Sequence, residues 1–185
     1  MPDASESASL VGKRMPQKNN VESANEIKVR RATKADLKIL VPFAKKEILK
    51  ASHYNSAARQ AYSSQVSAAY MRGVLGGAGF AILALKGAEP VGCLWTTFDS
   101  SDRSVMMFEW ILVNRHYKKQ GIAKRMHNLA EKLAVSQGVR KIWGDSRASN
   151  YQAVALEAYF GVRTIGKLKK HWFGQDYILW EKQLR

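Results

Sequence analysis

The chain has 185 residues, of which 46% are hydrophobic and 24% charged, and it carries a formal net charge of +15. This composition is typical of a globular domain with a buried core, and no run approaches the ~18 apolar residues of a membrane helix. The single cysteine excludes an internal disulfide framework and favours a reducing, cytoplasmic location. The charge predicts attraction to an acidic partner such as nucleic acid or the ribosome, unless it is only a solvated basic surface.

The first segment has no apolar periodicity. Residues 1–25 are rich in Ser, Ala, Asn and Lys, and they predict a flexible N-terminal tail before a single domain at 26–185. No apolar stretch of a secretory signal follows the start. The alternating residues Ile27 to Arg30 then predict the first strand.

Two helical patterns follow. Thr33, with Asp36 three residues later, is typical of a helix start, and the apolar stripe that follows predicts a helix that Pro42 should kink or interrupt. A second helix is predicted from Ser56 to about Leu75. Tyrosines accompany this pair of helices, and they either line an acceptor pocket or only pack the helices together; they are Tyr54, Tyr62 and Tyr70.

Glycines from Gly73 to Gly79 predict a loop, after which three strand patterns occur at residues 80–85, 91–98 and 105–113. Short turns separate these strands, and short turns connect antiparallel strands only. The sequence therefore predicts an antiparallel meander.

An amphipathic helix follows Gly121 and should end at Gly138. The next predicted strand, 141–145, would pair in parallel with the fourth, because a helix connects them. Asn150 predicts the cap of a short helix to Phe160, and two final strands are expected at 162–172 and 176–184. Together the elements predict an α/β (α+β) fold with a mixed, mostly antiparallel sheet of about seven strands and helices on both faces.

The stretch from Tyr117 to Arg125 joins the fourth strand to this helix and is basic on both sides of Gly121. The first amides of a helix have no internal partner and lie at the positive end of its dipole, so they favour an anion such as phosphate. An ordinary basic loop before a helix is the alternative.

The wider pattern resembles the Gcn5-related N-acetyltransferase (GNAT) superfamily. Lys118, Gly121 and Ala123 have the spacing of the acyl-CoA signature of that family and so resemble it. Two residues depart from the usual pattern: Lys118 replaces Arg or Gln, and Arg115 stands where proline is common. Downstream, the run from Asp145 to Val162 resembles the strand and Asn-started helix of that family. The likeness covers roughly residues 27–184.

The resemblance implies an acetyl-CoA cosubstrate between splayed fourth and fifth strands. The backbone of Ile111, Leu112 and Val113 would hold the pantetheine arm and the acetyl carbonyl, and Asn150 would also contact CoA. The pyrophosphate would be bound by the loop and first helical turn, namely Lys118, Lys119, Gln120, Gly121, Ile122, Ala123 and Lys124.

Three carboxylates are the catalytic candidates. Asp145 stands where some members of the family carry a catalytic carboxylate, and Glu109 is a rival base in an apolar strand, where an unpaired carboxylate is costly. Either one is otherwise an ion-pair partner. Glu157 stands where many members have a tyrosine that protonates the departing thiolate, and Tyr159 lies nearly opposite on the helix.

These expectations describe an acyl-CoA-dependent N-acetyltransferase, monomeric or homodimeric, that acts on a primary amine of a small molecule or a protein. No metal site is expected, since the four histidines show no ligand spacing. The alternative is a basic nucleic-acid- or ribosome-associated CoA-binding module without catalysis. The sequence does not identify the acceptor.

Overall fold

The computed structural model describes residues 26–184. Its strands are β1 (Ile27–Arg31), β2 (Gly79–Lys86), β3 (Glu89–Phe98), β4 (Val105–Val113), β5 (Lys141–Arg147), β6 (Arg163–Leu168) and β7 (Tyr177–Gln183). Its helices are α1 (Leu37–Leu49), α2 (Ser56–Gln65), α3 (Ala68–Gly73), α4 (Ile122–Ser136) and α5 (Tyr151–Tyr159). The predicted tail at 1–25 lies outside the described residues, and the division into tail and single domain stays a prediction.

The strands form one seven-stranded sheet in the order β1-β2-β3-β4-β5-β7-β6. Every neighbouring pair is antiparallel except β4 and β5, which are parallel. Their pairing is confined to Val105–Met107 opposite Lys141–Trp143. Beyond these residues the two strands separate, so the predicted mixed sheet with splayed fourth and fifth strands is confirmed.

Alternating side chains of the sheet supply two cores, one on each face. Ala81, Leu83 and Leu85 of β2 pack beneath α1, whereas Phe80, Ile82 and Ala84 pack beneath α4. This alternation follows from the two-residue period of a strand. Helices therefore cover both faces, as the sequence predicts.

β4 contains a bulge at Glu109. Trp95 of β3 pairs with Trp110, and the next residue, Thr96, pairs with Phe108, so Glu109 has no partner across the ladder. The bulge reverses the alternation of β4, since Phe108 and Ile111 both belong to the core beneath α4. Bulges of this kind bend a strand and redirect a side chain, often beside an active site.

The start of α1 agrees with its predicted cap. The Asp36 carboxylate accepts a hydrogen bond from the Thr33 backbone amide at 2.8 Å, and the Arg30 guanidinium donates to both carboxylate oxygens at 2.7 and 2.8 Å. These bonds tie α1 to β1. The helix then continues through Pro42 and is not interrupted there, whereas a kink at Pro42 stays a prediction. Proline removes one ladder hydrogen bond, and the burial of Leu40, Ala44, Ile48 and Phe43 against the sheet holds the helix together.

The predicted helix from Ser56 to Leu75 is two helices, and this prediction is wrong. Val66 leaves helical geometry with ψ of 79°, and the Ser67 hydroxyl accepts a hydrogen bond from the Tyr70 amide to start α3. A serine side chain that bonds to a nearby amide competes with helix continuation. The predicted glycine loop is also a wide helical turn, Val74–Ala78, before β2 begins at Gly79.

Near the C-terminus, β6 is shorter than the predicted strand at 162–172, because the chain turns after Leu168 and forms a 3-10 turn at Trp172–Gly174. β5 extends two residues past Asp145, to Arg147. Among residues 26–184, no helix is long and apolar enough to cross a membrane.

Candidate active site

A cavity lies where β4 and β5 separate. Its walls come from Glu109–Leu112 of β4, Asp145–Arg147 of β5, the inner face of α5 and residues 53–54 before α2. Parallel strands that separate leave backbone groups of both strands without a partner in the other. The cavity therefore combines free backbone polar groups with polar side chains.

Glu109 reaches this cavity from the bulge of β4. Its carboxylate accepts a hydrogen bond from the Thr97 hydroxyl at 2.7 Å. Burial raises the pKa of Glu109, and the Thr97 bond opposes that shift. The structure shows no ion pair for Glu109 within the described part of the chain.

Asp145 faces Glu109 across the same cavity. Burial raises the pKa of Asp145 to about 6, the negative charges of Glu109 and Glu157 add to the rise, and Arg147 opposes it. A carboxylate with a pKa near 6 is mostly ionised at neutral pH and still accepts a proton readily. Such a pKa is suited to a general base.

Glu157 projects into the cavity from α5 and accepts a hydrogen bond from the Ser146 hydroxyl. Burial raises the pKa of Glu157, while the Ser146 bond lowers it. Tyr159, two residues later on α5, is 59% exposed and does not line the cavity. The carboxylate, not the tyrosine, therefore occupies the cavity side of this helix.

Asn150 caps α5, since its side-chain oxygen accepts a hydrogen bond from the Ala153 amide at 3.3 Å. It also lines the cavity, and its side-chain nitrogen lies 3.3 Å from Nε2 of His53. Burial and the nearby charges of Arg147 and Lys118 lower the pKa of His53 to about 4. His53 is therefore neutral at pH 7.

The basic loop lies at the N-terminus of α4, beside the cavity and outside its walls. Lys119 and Gly121 both have left-handed backbone angles, with φ of 63° and 71°. A Cβ added at Gly121 would meet no atom of residues 26–184 within 4 Å, so the space on the Cβ side of this residue is open. Lys118 donates a hydrogen bond to Gln152 of α5 at 3.1 Å, and the Lys124 ammonium lies 4.4 Å from the centre of the Tyr159 ring.

The structure therefore divides the residues predicted from the sequence into two groups. Those that line the cavity are Glu109, Ile111, Leu112, Asp145, Asn150 and Glu157. Those at the start of α4 are Lys118, Lys119, Gln120, Gly121, Ile122, Ala123 and Lys124. In the second group, the Ile122 side chain is buried in the core beneath α4. Val113 of β4, which was also predicted, belongs to neither group and packs against the same core.

Sequence reasoning missed Arg147 and His53 as cavity residues. Arg147 is two residues after Asp145 on β5, and the two-residue period of a strand would have placed both on one face, had the strand been predicted to extend that far. His53 carries no sequence signal, because it lies in the connection between α1 and α2. Among the three tyrosines, Tyr54 lines the cavity, whereas Tyr62 and Tyr70 do not.

In residues 26–184, no three His, Cys, Asp or Glu side chains are grouped so as to hold a metal ion. The sequence matches the acetyltransferase (GNAT) family over residues 46–161, more than half of the chain. Comparison with curated proteins gives no match.

Three solved structures illustrate the similarity of fold. The PaiA N-acetyltransferase of Thermoplasma acidophilum in complex with coenzyme A has a TM-score of 0.71 at 15% identity, covering 85% of this chain and 99% of that one. An N-acetyltransferase of Staphylococcus aureus Mu50 has a TM-score of 0.68 at 16% identity, covering 87% and 100%. The ribosomal-protein-S18-alanine N-acetyltransferase of Escherichia coli has a TM-score of 0.65 at 16% identity, covering 86% and 94%. With the family match and the splayed parallel pair of strands, these similarities show that the chain belongs to the GNAT acetyltransferase family.

Proposed function

We propose that the protein is an N-acetyltransferase that moves an acetyl group from acetyl-CoA to a primary amine. The observation that carries this proposal is the convergence of Glu109, Asp145 and Glu157 in one cavity, beside the open amides at the start of α4. A binding module has no need of three partly buried carboxylates with raised pKa values, since each is costly to bury.

The start of α4 is suited to the pyrophosphate of acetyl-CoA. Its free amides carry partial positive charge, and the left-handed residues Lys119 and Gly121 turn the backbone in the manner of anion-binding loops. Gly121 also has no side chain that could obstruct a phosphate group at this loop. Lys118, held near Gln152, adds a positive charge between α4 and α5. The backbone of Ile111 and Leu112 on the separating part of β4 is available to the pantetheine arm.

Acetyl-CoA supplies the acetyl group as a thioester. In the overall reaction the C–S bond breaks and a C–N bond forms. An ammonium group gives up two protons, of which the CoA sulfur gains one and the other passes to solvent. An alkyl amine has a pKa of ~10.4 and arrives protonated. Asp145 is suited to take up its proton, because the pKa of about 6 leaves this carboxylate ionised at neutral pH.

Glu157 is suited to donate a proton to the departing CoA sulfur. Burial raises the pKa of Glu157 and so increases its protonated fraction relative to an exposed glutamate. Glu109 keeps negative charge close to Asp145 and helps to maintain the raised pKa of that residue. The three carboxylates thus form a coupled group in which protonation of one affects the others.

The proposal is tested by measuring release of free CoA from acetyl-CoA over a panel of amines, amino acids, peptides and tRNA, with the acetylated product identified by mass spectrometry. We expect acetyl-CoA alone to raise the melting temperature, because a ligand that binds only the folded state stabilises it. We also expect at least one amine to be acetylated. A rise in melting temperature without turnover on any acceptor would contradict the proposal and favour the catalytically silent CoA-binding module.

A further inference from the structure

Arg147 is a buried cation that has no anionic partner within the described part of the chain. The residue is 2% exposed, and neither Nε nor Nη1 has a hydrogen-bond partner among those residues. No carboxylate oxygen of residues 26–184 lies within salt-bridge distance of the guanidinium. A buried charge is costly unless it is paired and hydrogen-bonded, so this arrangement is incomplete as it stands.

The surroundings of Arg147 compensate only in part. The guanidinium carbon lies 4.6 Å from the centre of the Tyr177 ring and 5.2 Å from that of Tyr54. Aromatic faces attract a cation, but they do not accept its N–H groups as an oxygen does. The rings hold the guanidinium at the wall of the cavity, which Arg147 lines, and its Nε and Nη1 groups stay unpaired among the described residues.

The cavity is polarised along β5. Asp145 and Arg147 are two residues apart, so they lie on the same face and about 6.6 Å apart along the strand. Asp145 has Glu109 and Glu157 close to it, whereas Arg147 acts with Lys118 to lower the pKa of His53. One end of the cavity therefore favours a positive group, and the other favours a negative group.

We propose that the acceptor is a small molecule that carries both an amine and a carboxylate, such as a free amino acid, and that Arg147 binds its carboxylate while the amine lies at Asp145. This inference rests on the proposed acetyltransferase function and names its substrate class. A guanidinium binds a carboxylate through two parallel hydrogen bonds, which fixes orientation as well as position. Arg147 is thus a specificity-determining residue.

Contacts next to the rings that surround Arg147 favour a small acceptor over a protein. The Asn55 backbone amide donates to the side-chain oxygen of Gln175 at 3.2 Å, and the Asn55 side chain donates to the Phe173 carbonyl at 3.0 Å. The Tyr62 and Tyr177 hydroxyls are 2.8 Å apart. The start of α2 is therefore bonded to the turn before β7 on the side of the cavity where Arg147 lies. An extended polypeptide passing through this side would have to separate these contacts.

The experiment compares matched acceptors: the twenty amino acids, their α-amides, and short peptides that include N-terminal Asp and Glu. For the best amino acid, we expect kcat/KM to exceed that of its amide by about 10- to 100-fold, the range of a hydrogen bond to a charged group. The carboxylate is unchanged by the reaction, so its loss should raise KM more than it lowers kcat.

Two variants and a control assign this preference to Arg147. Arg147→Met keeps the length of the side chain and removes its charge. The ratio of kcat/KM for the amino acid to kcat/KM for its amide should therefore fall towards one. Arg147→Lys keeps a charge but loses the planar fork, and it should give an intermediate ratio. Arg72→Met removes an exposed arginine that contacts neither the cavity nor the loop at α4, and it should keep the parent ratio. Retention of the rise in melting temperature with acetyl-CoA shows that each variant is folded.

A binding measurement without turnover completes the test. In the presence of free CoA, the preferred amino acid should raise the melting temperature of the parent protein, and its amide should not. Equal turnover of acids and amides, or a preference for peptides with an acidic first residue, would overturn the inference and leave the acetyltransferase function intact. Absence of turnover on every amine would overturn both. If Arg147→Met does not fold, the ratio of kcat/KM for the amino acid to that for its amide, measured on the parent protein, decides whether the acceptor carboxylate is recognised.

Discussion

Three carboxylates share one cavity, and their burial there explains why none of them has an ordinary pKa. Burial raises the pKa of Glu109, Asp145 and Glu157, and the neighbouring negative charges add to the rise at Asp145. Hydrogen bonds from Thr97 and Ser146 stabilise the ionised forms of two of them, whereas the pKa of Asp145 is lowered only by the charge of Arg147. Asp145, whose pKa is raised to about 6, is therefore suited to exchange a proton near neutral pH.

The first prediction concerns Asp145→Asn. If Asp145 takes the proton from the ammonium group, the variant should lose ~10²–10⁴-fold in turnover at pH 7, while acetyl-CoA binding remains. In the parent protein, activity should rise with pH through about 6, because the base must be ionised, and should then level off. The activity of the variant should instead rise continuously as the pH approaches the pKa of the amine. The difference in activity between the two proteins should therefore shrink at high pH.

The measurement is a pH profile of kcat/KM for both proteins, with melting temperatures as a check on folding. The substitution removes a buried charge near two others, so the variant should be at least as stable as the parent protein at pH 8. A parent profile that keeps rising from pH 6 to 10, parallel to that of the variant, would show that water and not Asp145 carries the proton.

At the scale of elements, the start of α4 and the bulge of β4 position the two halves of the site. The left-handed Gly121 ends the basic loop and begins the helix, and the bulge turns Glu109 into the cavity. Each feature depends on local backbone geometry. Their placement within one site depends on the sheet, because β4 leads directly into the loop that precedes α4.

The second prediction compares Gly121→Val with Gly138→Val. Both glycines have left-handed angles, with φ of 71° and 79°, and both have open space around a Cβ, so the two substitutions should lower stability by similar amounts. Only Gly121 lies at the N-terminus of α4, whereas Gly138 follows its C-terminus. The rise in melting temperature with acetyl-CoA should therefore be abolished at Gly121 and retained at Gly138. Equal loss in both variants would show that the α4 start has no special part in binding.

The third prediction concerns the cap of α1. Asp36 is held by Arg30 and Thr33, and the Arg30 hydrogen bonds, aided by those of Thr33, hold its pKa well below the ordinary value. Because the folded pKa is lowered, this stabilisation is present above the unfolded pKa of ~3.9 and is lost as the pH falls below it. Asp36→Asn should cost about 1–3 kcal/mol at pH 7.

Urea unfolding at pH 7 and pH 3 measures this effect. The difference in free energy of unfolding between the parent protein and Asp36→Asn should be smaller at pH 3 than at pH 7. Asp102→Asn is the control, since Asp102 and Arg140 form an ion pair with exposures of 47% and 65%, and exposed pairs contribute little. A difference for Asp36→Asn that is the same at both pH values would refute the ion-pair explanation.

For the whole molecule, the net charge of +15 is the feature that the site does not use. A few basic residues around the α4 loop are suited to CoA phosphates, which leaves most of the excess unassigned. A general positive field attracts nucleic acid without sequence preference, and such binding weakens steeply with salt.

The fourth prediction is that RNA binding and catalysis are separate. The logarithm of RNA affinity should fall linearly with the logarithm of salt concentration, with a slope that reports several phosphates. At ~0.2 M salt, turnover of a small acceptor should be the same with and without RNA. RNA that is required for turnover, or that binds with no dependence on salt, would instead favour a dedicated nucleic-acid partner.

Much of this architecture could be predicted from the sequence. The meander of β2 to β4 followed from short turns between apolar runs, and the parallel β5 followed from the helix that connects it to β4. The start of α4 was evident in Gly121 and its basic neighbours, and Glu157 was expected on the cavity side of α5. These properties are local, since they depend on residue type, chain direction and the period of an element.

Tertiary structure alone decided the rest. The continuity of α1 through Pro42 depends on burial against the sheet. The break at Val66 is different, because the hydrogen bond that the Ser67 side chain accepts from the Tyr70 amide is local. The bulge at Glu109 is a difference in register between β3 and β4, which neither strand encodes separately. The lack of an anionic partner for Arg147 among residues 26–184 is also a tertiary property. The two rings beside its guanidinium belong to Tyr54 and Tyr177, which are far apart in the chain. Spacing within a strand predicts which residues share a face, but only the packed fold determines which charges remain unpaired there.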